Sequence, residues 1–165
     1  MPVGSRRQPG SQNLLKLIIE NTAFVNHSNY SSLTCLLVDD DEDDKEIFCL
    51  ALEEIDPDIK CVTASDGHEA LSVLLKESLR PNFIFLDLNM PRMDGKQCLK
   101  EIRKHTHLDH VPVIIFTTSS ATREVDETKK LGASFFITKP PLVATLADLL
   151  RKVFNGDMNG DHLNT

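Results

Sequence analysis

The sequence predicts an α/β domain built on a doubly wound, five-stranded parallel sheet with helices on both faces. Apolar strand-like runs alternate with helix-period segments five times between Leu33 and Val153. Two of the runs, Phe83-Ile84-Phe85-Leu86 and Val113-Ile114-Ile115-Phe116, are apolar without a break, as strands covered on both faces require. Units of this length join parallel neighbours through crossover helices.

The strands are expected at 33–38, 59–64, 83–86, 111–116 and 134–138. The second is more mixed, with Lys60 and Thr63, and suits a place nearer the sheet edge. Between the strands, Leu71, Leu74 and Leu75 fall on one helical face, as do Cys98, Leu99 and Ile102. Leu142, Leu146, Leu149, Leu150 and Val153 form the longest stripe. The segment 121–131 is the least amphipathic, with Lys129 and Lys130 near its end. Asp66 with Glu69 three residues on reads as a helix-capping pair, and Asp94 can cap the helix after Pro91. Gly132 stands where a helix end needs a residue tolerant of positive φ.

The ends of the chain differ in composition. Residues 1–32 are rich in Ser, Asn, Gln and Gly and read as a flexible extension with one short helix near Leu14–Ile19. Lys16 and Glu20 interrupt its apolar run, which argues against a secretory signal. The domain proper is expected over 33–154, and the polar stretch 155–165 as a disordered tail. Within that tail, Asp157-Met158-Asn159-Gly160-Asp161 has its glycine at the wrong offset for a calcium loop, and no closing Glu follows.

Bulk properties bound the function. A chain of 165 residues can bury a core of its own. The net charge of −7 argues against a general nucleic-acid surface. No apolar run approaches the roughly 20 residues that span a bilayer, so no membrane role is expected. Cys35, Cys49, Cys61 and Cys98 are scattered through apolar stretches without a CxxC pair and read as reduced core thiols of a cytoplasmic protein.

In an open α/β sheet, ligands bind beyond the carboxyl ends of the strands. Asp39, Asp40 and Asp41 follow the first strand, and Asp87 with Leu88-Asn89-Met90-Pro91 follows the third. Thr117 and Thr118 follow the fourth, and Lys139 follows the fifth. Carboxylates converging on one crevice repel each other unless compensated. A hard divalent cation with oxygen ligands compensates them, and Mg²⁺ takes one or two carboxylates plus water and phosphate oxygens. With Asp39, Asp40 and Asp87 ionised, three negative charges face two from Mg²⁺ and one from Lys139, so an added phosphoryl group finds a nearly neutral site. The acidic residues Asp41, Glu42, Asp43 and Asp44 serve the dipole of the following helix.

Four blocks, Leu36-Leu37-Val38-Asp39-Asp40, Phe85-Leu86-Asp87-Leu88-Asn89-Met90-Pro91-Arg92-Met93-Asp94-Gly95, Pro112-Val113-Ile114-Ile115-Phe116-Thr117 and Ile137-Thr138-Lys139-Pro140, strongly resemble the receiver domains of bacterial two-component response regulators. The resemblance runs from about Leu33 to Val153 and is nearest to single-domain, chemotaxis-regulator-like members. It implies the strand order 2-1-3-4-5. It also implies that Asp87 is the phosphoacceptor, attacking a phosphohistidine or small phosphodonor in line. Asp40 would ligate Mg²⁺ (or Mn²⁺ in its place) directly, with Asp39 sharing the role or acting through water. Asp87 would complete the carboxylate set, and Asn89 would offer its backbone carbonyl. Thr117 and Lys139 would hold phosphoryl oxygens, and Phe136 would be the switch aromatic that turns inward as Thr117 moves.

The same resemblance implies a stand-alone regulator rather than an enzyme with its own substrate, one that only assists its own phosphorylation and dephosphorylation. Its partners would be a sensor histidine kinase or histidine phosphotransfer protein and a downstream protein target, with no direct nucleic-acid contact. The face made by helix four, strand five and helix five would switch, and could form a homodimer. Thr118 departs from the smaller residue common in the family, and Pro141 from a bulky apolar one. Phe136 lacks the hydroxyl of the more familiar Tyr. The family usually has the Lys139–Pro140 bond cis, although an X–Pro bond by itself favours trans. A phosphohydrolase of the haloacid dehalogenase type would need an acid where Asn89 stands. A receiver-like module that never accepts phosphate fits poorly with the complete acidic, Thr and Lys set. His105, His107 and His110 read as surface residues of a loop at the far end of the sheet from the acidic crevice.

Overall fold

The computed structural model describes residues 30, 32–76, 79–157 and 162–163. The expected extension up to residue 29, with its short helix, lies outside the described residues, as do residues 158–161 and 164–165.

Five parallel strands run in the order β2-β1-β3-β4-β5: β1 (Thr34–Val38), β2 (Lys60–Ala64), β3 (Phe83–Leu86), β4 (Val113–Thr117) and β5 (Phe135–Thr138). Five helices join them: α1 (Glu42–Ile55), α2 (Gly67–Leu74), α3 (Gly95–Ile102), α4 (Thr122–Lys130) and α5 (Val143–Asn155). A short 3-10 turn, Thr106–Leu108, precedes β4. The mixed strand β2 forms one edge, as its composition predicts.

Successive strand residues point to opposite faces, and the core divides accordingly. Leu37, Phe85, Ile114 and Ile137 pack against Phe48 and Leu52 of α1 and Leu146, Leu150 and Phe154 of α5. Leu36, Ile84, Leu86 and Ile115 pack against Leu74, Leu99, Ile102 and Val125 on the other side. The Phe48 ring anchors the first layer, with its centroid 4.8 Å from Phe85 and 5.5 Å from Phe116.

The capping residues act as expected. The Asp94 side chain accepts from the N–H of Gln97, and that of Asp66 from the N–H of Glu69. The Glu69 carboxylate reaches back to the Ser65 N–H, one residue before the cap. Gly132 takes φ 97°, in the left-handed region that glycine tolerates. The helix α4 is the most polar of the five rather than the least amphipathic, and it is tied to α3 through Glu127, which Lys96 and Arg123 both clasp at 2.6 and 2.7 Å. Those two bonds hold the Glu127 carboxyl down at about 2.

Several expectations are corrected. Leu75 is half exposed because α2 ends at Leu74. Leu142 is exposed because the chain is still extended there and α5 begins one residue later. Cys49 and Cys61 form a disulfide between α1 and β2, Cα atoms 5.9 Å apart, where reduced thiols were expected. The pairing depends on how an edge strand meets a helix, which no local spacing reports. Cys35 and Cys98 are free and buried, and burial pushes the Cys98 thiol up to about 12.

The boundaries also differ in detail. Tyr30, inside the expected extension, packs its ring against Phe154 in a tilted arrangement at 5.8 Å and donates its hydroxyl to Asn155 Oδ1 at 2.8 Å. A two-residue strand β6 (His162–Leu163), inside the expected tail, pairs in parallel with β5 in the register Phe136↔His162. Two residues are too few to leave a periodic signal. Among the described residues no peptide bond is cis, so Lys139–Pro140 is trans.

Candidate functional site

The carboxyl ends of the strands carry the residues singled out from the sequence. Asp39 follows β1, with its N–H bonded to the Ala64 carbonyl, and is fully buried. Asp87 follows β3, with its N–H bonded to the Val38 carbonyl, and is 6% exposed. Thr117 closes β4 and is buried. Lys139 follows β5 and is anchored by its N–H on the Thr117 carbonyl at 2.8 Å. The sheet register therefore brings Asp39, Asp87, Thr117 and Lys139 to one end of the sheet, with the Lys139 ammonium beside Asp39 and Asp87.

Oxygen atoms of Asp39, Asp40 and Asp87 all lie within 4.8 Å of one another. Among the described residues this is the group of three or more His, Cys, Asp or Glu side chains that gathers closely enough to share a cation. Three carboxylates, two buried and one (Asp40) open to solvent, make a hard-oxygen donor set that suits Mg²⁺ or Mn²⁺. Asn89 is exposed on the rim, and Asp40, Asn89, Met90, Asp94, Lys96 and Glu124 line the depression leading in.

Lys139 is the counter-charge. Its Nζ lies 2.7 Å from Asp39 Oδ2, 2.7 Å from Asp44 Oδ2 and 4.0 Å from Asp87 Oδ1, and its side chain is 9% exposed. It also sits 5.7 Å from the centre of the Phe116 ring. Burial works against its charge, but the bonds to Asp39 and Asp44 and the negative charge around it leave its pKa raised. Burial raises the pKa of Asp39, against the opposing pull of Lys139. A cation added beside Asp39 would reinforce that pull.

Backbone geometry supports the loop after β3. Gly95 starts α3 against the Asp87 backbone, and a Cβ there would collide with the Asp87 carbonyl and come 2.8 Å from Leu88 Cα. Its N–H bonds the Leu88 carbonyl at 3.0 Å. Arg92 adopts φ 66° and pairs with the buried Asp66, so the loop is tied across to α2. Phe136 points inward at 3% exposure, packed with the layer around Leu86, Val113 and Val125.

Two residues at the site escaped the sequence reading. From the sequence Asp44 is one of several acids at a helix start, yet its carboxylate reaches Lys139 across 95 positions of sequence. Its place in the first helical turn after the acidic pair Asp39-Asp40 is the signal the sequence offers. Arg92 had no signal beyond its place in the loop. His105, His107 and His110 lie in the connection before β4, where His107 and His110 are exposed and the His105 and His107 rings are 5.7 Å apart.

Comparison with known proteins bears on this arrangement. The family model of the response regulator receiver domain matches residues 35–151. Response regulator Rcp1 of Synechocystis sp. is 32% identical over 123 residues, covering 72% of this chain and 82% of that protein. The crystal structure of the phosphorylated cyanobacterial phytochrome response regulator RcpA superposes with a TM-score of 0.69 at 27% identity, over 77% of this chain and 96% of that one. The Mn²⁺-bound form of Rcp1 gives a TM-score of 0.65 at 29% identity, over 73% and 91%.

Proposed function

The chain belongs to the response regulator receiver family, and on that footing we propose that it is a switch phosphorylated on Asp87 with the help of a divalent cation. The observation that carries this reading is the convergence of Asp39, Asp40 and Asp87 within 4.8 Å, with Lys139 beside them.

Asp40 would hold the cation directly, Asp39 would share the role or act through water, and Asp87 and the Asn89 carbonyl would complete the protein ligands. When bound, the cation offsets the charge that builds on the phosphoryl oxygens. An Asp87 carboxylate oxygen attacks phosphorus in line. The P–N bond of a phosphohistidine breaks as the new O–P bond forms, and its electron pair leaves on the imidazole nitrogen, which takes up a proton. Lys139 pairs with one phosphoryl oxygen, and the Thr117 hydroxyl donates to another. Hydrolysis later returns the Asp87 carboxylate and inorganic phosphate. The protein accepts one phosphoryl group per cycle and turns over no separate substrate.

The output is a change of surface. A dianionic group rewards whichever conformation brings its donors closest, and Thr117 lies one strand away from Phe136. Coupling between them would alter the face of α4, β5 and α5, where a downstream protein or a second copy would dock. The phosphodonor would be a sensor histidine kinase or a histidine phosphotransfer protein. A cytoplasmic setting suits such donors, and among the described residues no helix is long and apolar enough to cross a membrane.

The test is to locate the acyl phosphate. After incubation with phosphoramidate and Mg²⁺, borohydride reduction converts a phosphoaspartate to homoserine, and peptide mapping should find it at position 87. Homoserine at another aspartate would reassign the acceptor.

A further inference from the structure

We propose that Asp44 is a positioning residue that holds Lys139 back from Asp87 and sets how readily the phosphorylated state forms. The inference rests on the phosphoacceptor reading above. The Lys139 ammonium contacts two carboxylates at 2.7 Å, Asp39 and Asp44, while Asp87 stands at 4.0 Å. A charge-assisted bond to a phosphoryl oxygen is short, about 2.7–2.9 Å. A phosphoryl oxygen on Asp87 would therefore compete with Asp39 and Asp44 for the ammonium.

The two contacts are unequal in what it costs to leave them. The Asp39 side chain is 1% exposed, so losing its partner would strand a buried charge. The Asp44 side chain is 32% exposed on the first turn of α1, where water can replace the lysine. Asp44 is thus the contact that yields. Its backbone N–H is fixed on the Asp41 cap at 3.1 Å, which keeps the carboxylate at the end of the helix facing Lys139. Asp44, Phe116, Thr118, Lys139 and Pro140 also line one depression beside the crevice, so the Asp44 contact borders open space that water can enter.

Beryllofluoride in the presence of saturating Mg²⁺ mimics the phosphoryl group, and calorimetry reads its affinity. Asp44→Asn keeps the shape and removes the competing charge. It should bind beryllofluoride about fivefold tighter or more than wild type, a coupling typical of residues in direct contact. In a Lys139→Gln background, Asp44→Asn should change nothing, because the effect passes through the lysine. Asp44→Ala provides a second variant with the same expectation, and circular dichroism confirms that each variant is folded. Wild type that binds while Asp44→Asn and Asp44→Ala gain nothing overturns the proposal alone. A gain that persists without Lys139 also overturns it, since it would be a general charge effect. Wild type that binds no beryllofluoride overturns the phosphoacceptor reading and this inference with it.

Discussion

The Arg92 guanidinium clasps the carboxylate of Asp66, a buried side chain 26 positions earlier in the sequence, while the Arg92 backbone sits at φ 66°. The same carboxylate caps α2 through the Glu69 N–H. One acid thus fixes the start of α2 and restrains the loop that follows Asp87.

Asp66→Ala should lower stability by about 1–2 kcal/mol, mostly through the lost cap. Chemical denaturation would measure it. Asp66→Asn should recover most of the loss, because an amide oxygen still caps.

Acid sensitivity follows from the same residue. The Glu69 N–H first, and then Arg92, hold the Asp66 carboxyl below its usual value in the folded state. A depressed folded pKa means the unfolded chain binds the proton more readily. The contribution is therefore complete above the ordinary carboxylate range near pH 4 and is lost as pH falls through the folded value. Wild type should lose stability over that window more steeply than Asp66→Asn, as melting curves between pH 2 and 5 would record.

The Cys49–Cys61 bridge joins α1 to the edge strand β2 across 12 positions. Closing a loop of that size is worth about 2–3 kcal/mol. Cys49→Ser, or full reduction, should lower the melting temperature. Thiol titration of the denatured, unreduced protein should find only Cys35 and Cys98 reactive, while four reactive thiols would contradict the bridge.

Gly95→Ala should be disproportionately harmful for the addition of one methyl group. The added methyl meets the Asp87 carbonyl, so the backbone there must shift together with Asp87. Reduced Mg²⁺ affinity alongside lower stability is the expected pair of effects, measured by calorimetry and denaturation. Full Mg²⁺ affinity would show that the loop relaxes away from Asp87.

Much of this was legible in the sequence because it is local. Unbroken apolar runs at Phe83–Leu86 and 113–116 marked buried strands, and Asp66, Asp94 and Gly132 marked helix ends. Positions just past the strands gave Asp39, Asp87, Thr117 and Lys139, since parallel strands send all their carboxyl ends to one side. What escaped depends on distant segments meeting. Cys49 finds Cys61 only once α1 lies beside β2. The link from Asp44 to Lys139 requires β5 to pass the end of α1. Leu142 looked like core because it keeps step with Leu146, but the chain has not yet entered the helix there.

The central claim is that Asp87 accepts a phosphoryl group only with a divalent cation present, and intact-mass spectrometry tests it most directly. Wild type incubated with phosphoramidate and Mg²⁺ should gain one phosphoryl group, about 80 Da. The adduct should be absent after chelation and absent in Asp87→Ala. An adduct of the same size in Asp87→Ala, or no adduct in wild type under conditions where a trapped beryllofluoride complex excludes rapid loss, would contradict the account.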